Sequence, residues 1–350
     1  MKPIKLTLIL GSVVGLAAAG YGGYTVFSEQ MLSELQKQYA QPTLEIPAKN
    51  QTTPQRVQLG KTLFFDPRLS GSNWISCATC HNPAMGWSDG LPTAIGNNQQ
   101  LLERATPTIT NVAYNKLHMW DGRFRSLEKQ ALGPIEAPEE MNQNVDELVK
   151  ELSSLADYVK MFEAAYPGEG ISKDTIAKAL ANFQRTIVAS NSPFDEWIKG
   201  KEGAISIAAK NGFKLFNGKA NCNKCHMGHN FADNGFHNIG LKNSGDDQGR
   251  FSIRPVEISK GAFKTPTLRD ITKTAPYMHN GIYATLEEVI DHYDRGGDIK
   301  SNLSPNIEPL NLSKIEKQEL LEFLKSLVGD SEFVAVPELP TQLISGKESS

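Results

Sequence analysis

A basic excess is missing from this chain. Its 36 lysines and arginines face 39 acidic residues, a net charge of −3. Nucleic-acid binders usually carry a basic surplus, so that class is excluded, although a local patch for a small redox partner is not. Runs of alternating β-branched residues are also few, which points to a mainly α protein. A disordered majority is ruled out by 39% hydrophobic and 21% charged residues. Cysteine is scarce, at four residues in 350.

All four cysteines fall in two short motifs, Cys77-Ala78-Thr79-Cys80-His81 and Cys222-Asn223-Lys224-Cys225-His226. Cys-x-x-Cys-His is the attachment pattern for a c-type haem. The thiols add to the porphyrin vinyl groups, and the histidine is an axial iron ligand. A single zinc site built from both pairs would leave the two histidines as coincidence. A thioredoxin-like pair would want a βαβ setting, which neither copy has.

The N-terminus reads as a targeting segment. Lys2 and Lys5 precede Leu6 to Phe27, which holds no charge. Residues 1–27 suit a cleaved signal peptide or an uncleaved membrane anchor, and both export the main body. Residues 28–53 read as a polar tether, interrupted by prolines. Two cytochrome c-like haem domains in tandem are expected at 54–190 and 191–330, with residues 331–350 as a C-terminal arm.

Helical spacing supports this outline. Gln55–Phe65 presents Val57, Leu63 and Phe64 on one face, and Gly60, Leu63 and Phe64 align with Gly212, Leu215 and Phe216 before the second motif. That is a short internal repeat. Leu148, Leu152, Leu155, Val159 and Phe162 predict one helix over Val145–Phe162, and Asp174–Ala189 predicts another. Capping boxes at Thr285 and Ser313 open two more. The first ends at Gly296-Gly297; the second runs to about Val328 and buries Ile315, Leu320, Leu324 and Leu327.

Several further motifs carry a resemblance. Trp120-Asp121-Gly122-Arg123, Gln130 through Met141, Thr265-Pro266-Thr267-Leu268-Arg269 and Ala275 through Gly281 stand in an order that resembles the bacterial di-haem cytochrome c peroxidases, including their MauG-like branch. The resemblance runs from about residue 54 to 328. It implies that peroxide reacts at the haem held by His81, with Gln130 and Glu140 as the residues that orient it and move its proton. It implies that Trp120 lies between the haems and carries charge, while the haem held by His226 relays or stores electrons. An isolated Glu140 would otherwise read as a solvated loop carboxylate, and Trp120 as a core aromatic.

Two positions depart from the common pattern. Asn97 stands where other members can place a histidine on the first haem, so that iron is expected to be five-coordinate, with His118 a lesser alternative as ligand. Tyr293 stands where a methionine commonly ligates the second haem, as in the MauG-like branch, with Met278 and Met227 as competitors. A phenolate favours ferric iron, whereas a thioether favours ferrous. The resemblance also implies a calcium ion between the haems, but Ala105 replaces the asparagine that would bind it.

The expected function is therefore a periplasmic peroxidase that reduces hydrogen peroxide with electrons from a small cytochrome or copper protein. Its alternative is a MauG-like enzyme that uses a high-valent di-haem state to oxidise residues of a partner protein. A non-catalytic di-haem electron carrier is the third reading. A homodimer and an inner-membrane anchor are both compatible with the chain.

Overall fold

The structure, a computed structural model, describes residues 29–242, 244–330 and 334–341. Its helices are α1 (Glu29–Gln38), α2 (Pro54–Phe65), α3 (Cys77–Cys80), α4 (Leu127–Glu136), α5 (Val145–Ser153), α6 (Ala156–Ala165), α7 (Lys173–Arg185), α8 (Pro193–Ile198), α9 (Ile207–Asn217), α10 (Leu286–Asp294) and α11 (Lys314–Lys325). The described strands, β1 (Phe236–His237) and β2 (Phe263–Lys264), pair antiparallel with Phe236 opposite Lys264. The fold is mainly helical, as the patterning predicts. The segment at 1–27 lies outside the described residues, and among the described residues no helix is long and apolar enough to cross a membrane.

Two hydrophobic clusters organise the chain. One joins Leu59, Leu63 and Phe64 of α2 to Leu148, Phe162, Leu180 and Phe183. The other joins Phe213 and Phe216 of α9 to Phe194, Phe231, Leu320 and Phe323. The repeated glycines explain how each forms. Gly60 packs against the Ala179 carbonyl and Phe183 of α7, and Gly212 against the Glu319 carbonyl and Phe323 of α11. A Cβ at either glycine would collide with that carbonyl, so the short sequence repeat is the imprint of two equivalent helix crossings. Gly60→Ala or Gly212→Ala is expected to cost about 1–3 kcal/mol, seen as a lowered Tm; an unchanged Tm in both would show that the helices can part freely.

Four expectations are corrected. The segment expected as a polar tether is more than that over its described residues, 29–53: they include α1, Tyr39 is buried in the second cluster and stacks on Phe231, and Asn50 is buried with bonds to Glu128 and Asn182. The helix expected over 145–162 breaks between α5 and α6, where the Ser154 hydroxyl bonds the Glu151 carbonyl and Leu155 turns extended to bury its side chain. The helix expected to reach Ala189 stops at Arg185, because the following residues leave to pair with Asn111. Val159 and Ile315 are exposed, each one residue and so about 100° off its helix's buried stripe. On α11 that stripe includes Glu316, which is paired with Lys219.

Candidate active site

The first motif folds as a single turn. The Thr79 hydroxyl accepts the Ser76 N–H at 3.0 Å, and the His81 N–H closes on the Cys77 carbonyl at 2.8 Å. Cys77, Cys80 and His81 thereby face one cavity of about 670 Å³, together with Met119, Trp120, Gln130 and Glu140. His81 Nδ1 lies 3.1 Å from the Trp87 carbonyl, which can only accept. Nδ1 therefore carries the proton, and Nε2 keeps its lone pair for a metal.

Gln130 and Glu140 line the same cavity because the chain reverses after α4. Gln130 sits within the helix, and the next residues fold back onto its end: Met141 N–H bonds the Pro134 carbonyl and Gln143 N–H the Ile135 carbonyl. Asn97, buried, ties this loop down through bonds to the Glu139 and Pro138 carbonyls. The position thus supports the Glu140 loop. Burial raises the Glu140 pKa; the Arg123 charge opposes this and Glu139 adds to it. The Gln130 amide donates to the Met119 sulfur at 3.8 Å.

The second motif lines a narrower cavity of about 190 Å³, with Cys222, Cys225 and His226 on its wall. His226 Nδ1 is held by the Phe231 carbonyl at 2.8 Å, so it too presents Nε2. Tyr293 reaches this cavity from α10 together with Val289 and Ile290. Its phenol is raised in pKa by burial and by the nearby Cys225 and Cys222 thiols, and no hydrogen bond contributes. His292 turns away, donating from Nε2 to the Ile239 carbonyl and accepting at Nδ1 from the Tyr283 hydroxyl. Met278 lines both cavities, whereas Met227 is 47% exposed and lines neither.

Trp120 also lines both cavities, with its indole N–H fixed on the Ala105 carbonyl at 2.8 Å. The surrounding segments repeat. His118 bridges to Phe124 and Tyr277 to Tyr283; Met119 and Met278 both have positive φ; Ser126 and Thr285 cap α4 and α10. Eight residues beyond each cap stand Pro134 and Tyr293, each lining its own cavity. Where the second cavity has a phenol, the first has a ring with no donor atom.

Residues 54–203 match the family described as di-haem cytochrome c peroxidase. The chain is 45% identical over 317 residues to the methylamine utilization protein MauG of Methylorubrum extorquens, covering 89% of this chain and 90% of that protein. The chain belongs to the di-haem cytochrome c peroxidase family. It is 34% identical to the cytochrome c551 peroxidase of Pseudomonas aeruginosa, over 82% of each chain. Among solved structures it is similar to a MauG-like protein associated with microbial copper homeostasis, with TM-score 0.79, 33% identity, and coverage of 83% of this chain and 94% of that one.

The family implies two c-type haems, and the residues of both motifs fit them. None of the four cysteines is in a disulfide. Burial pushes the Cys77 and Cys222 thiols up to about 12 and Cys80 up to about 11. Thiols held neutral by burial argue against a thiolate zinc site. Calcium finds no side-chain ligand at Ala105, whose carbonyl holds the Trp120 N–H and whose own N–H bonds the His279 carbonyl.

For a di-haem peroxidase fold, the sequence reading overlooked three residues. Pro134 shows only through the caps that align it with Tyr293. His279 stacks on Phe263 and meets Trp120 edge-on at 6.3 Å. Lys264 is buried on the wall shared by both cavities. His118 is buried in the first cavity, and its Nδ1 has no hydrogen-bond partner among the described residues.

Proposed function

We propose that this chain is an exported di-haem oxidoreductase that draws oxidising equivalents from hydrogen peroxide and delivers them to a partner protein in the MauG manner. The observation that carries the reading is Tyr293, which lines the second cavity and whose phenol has no hydrogen bond among the described residues. The higher identity to the MauG protein than to the cytochrome c551 peroxidase supports it. Cys77, Cys80 and His81 would hold one haem, and Cys222, Cys225, His226 and Tyr293 the other. The twin helix crossings at Gly60 and Gly212 support reading 54–190 and 191–330 as cytochrome c-like units. When bound, the haems would supply redox-active iron; Pro134, whose ring offers no ligand atom, lines the first cavity at the position that Tyr293 takes in the second.

The protein's own groups do the rest. Gln130 orients the peroxide, and Glu140 moves a proton from one peroxide oxygen to the other so that the departing oxygen leaves as water. Each peroxide consumes two protons and two electrons and gives two waters. Trp120, on both walls, carries the electrons between the cavities. In this reading they come from oxidised side chains of the partner.

The second reading, a peroxidase fed by a small redox protein, draws on the relation to cytochrome c551 peroxidase. Steady-state turnover separates the two. Negligible peroxide consumption with a reduced small cytochrome or copper protein is expected, and rapid turnover would favour the second reading. The electron-carrier reading is disfavoured by Pro134; a resting protein without any high-spin ferric signal would revive it.

A further inference from the structure

The positive groups on the two cavity walls are nearly all matched by carboxylates. Arg104 is bonded to Asp121 and Asp247, each at 2.7 Å. Arg123 is bonded to Asp121 at 2.7 Å, and His237 to Asp233 at 2.8 Å. Lys264 is the exception. It is buried, yet among the described residues its ammonium makes no ion pair, and its hydrogen bond goes to the Thr265 carbonyl at 3.1 Å. An ammonium has three protons to donate, so two remain.

Its position is fixed and central. Lys264 ends β2, its backbone N–H bonds the Trp120 carbonyl at 2.8 Å, and its side chain lines both cavities. Burial lowers its pKa to about 8, with Asp233 pulling the other way. Two further nitrogens near Trp120 lack hydrogen-bond partners among the described residues: Nδ1 of His118 in the first cavity and Nε2 of His279 in the second. Removing a lone ammonium from water is costly unless an anion meets it. Here the protein supplies the cation but no carboxylate for it, and each haem brings two propionates.

We propose that Lys264 is a cofactor-carboxylate site, its ammonium pairing with haem propionates at the wall between the cavities, with His118 and His279 flanking it on either side. The proposal rests on the di-haem reading above. It also gives Lys264 a redox role. An unpaired ammonium beside Trp120 opposes removal of an electron from the indole, and propionates would cancel that field.

The test uses the full haem-loaded chain, comparing Lys264→Met with Lys264→Arg. Haem content comes from the pyridine haemochrome, and the potential of each haem from spectroelectrochemistry. With two haems retained, Lys264→Met is expected to move both potentials negative, because the propionate charge then acts uncompensated on iron. Lys264→Arg is expected to stay near the parent. Unmoved potentials in a fully loaded Lys264→Met protein would overturn the assignment. If Lys264→Met does not load, loading of Lys264→Arg but not of Lys264→Gln supports the need for charge, and failure of all three counts against it. A parent protein without covalent haem would defeat the di-haem reading itself.

Discussion

Glu140→Gln is expected to keep two covalent haems per chain and to slow the single-turnover reaction with hydrogen peroxide by roughly 10²–10⁴-fold. The substitution preserves the side chain's shape while removing its ability to take up and return a proton. The loop should survive it, since its own backbone bonds and Asn97 hold it in place. Glu139→Gln is the control, because Glu139 is exposed and should alter the rate little. A loss below about tenfold in Glu140→Gln would remove the acid–base role.

The pH dependence follows from the raised pKa. The ionised carboxylate is the proton acceptor, and it is lost as pH falls through a value above the ordinary carboxylate range. The parent rate should therefore drop on acidification earlier than for a solvated glutamate, while the variant's rate stays flat across that window. Stability has the opposite sign. A carboxyl whose folded pKa is raised costs the fold stability as pH climbs through that value. Glu140→Gln should thus be no less stable than the parent at neutral pH, which separates a catalytic loss from a folding loss.

What was legible in the sequence was chemistry fixed by short spacing. Cys77–His81 and Cys222–His226 each occupy a single turn, so five residues suffice to place two thiols and an imidazole. Tyr293, like Glu140, was legible only through the resemblance; the capping box at Thr285 marks where α10 opens, not what its tyrosine faces. Glu140 required the resemblance, since its place on the cavity wall that Gln130 also lines depends on a reversal after Pro134 that no periodicity records. Tyr39 and Asn50 were missed because their burial is decided by partners more than a hundred residues away, in Phe231 and Asn182. Lys264 was missed for the same reason: nothing local marks a lysine as buried. Its place beside Trp120 exists only once β2 is laid against that segment.

Tyr293→Met is expected to raise the reduction potential of the haem held by His226, by on the order of hundreds of millivolts within the roughly 0.8 V that axial ligands span. The thioether favours ferrous iron, whereas the phenolic oxygen favours the oxidised state. The structure makes the exchange clean: no hydrogen bond to the phenol is lost among the described residues, and Val289 and Ile290 already shape an apolar wall that a methionine can follow. His292 cannot step in, since both its nitrogens are engaged, Nε2 with the Ile239 carbonyl and Nδ1 with the Tyr283 hydroxyl. Tyr293→Phe supplies the second half of the test. It keeps the ring but removes the oxygen, so the second haem should become high-spin, as expected for the first opposite Pro134. If both variants leave potential and spin state unchanged, the phenol is not a ligand, and Met278, which also lines that cavity, becomes the residue to replace. If Tyr293→Met raises the potential and also turns the protein into a fast peroxidase with a small donor, then the ligand at this one position decides between the two functions. The open side at Pro134 would serve both, and Tyr293 would be what holds oxidising equivalents long enough to reach a protein substrate.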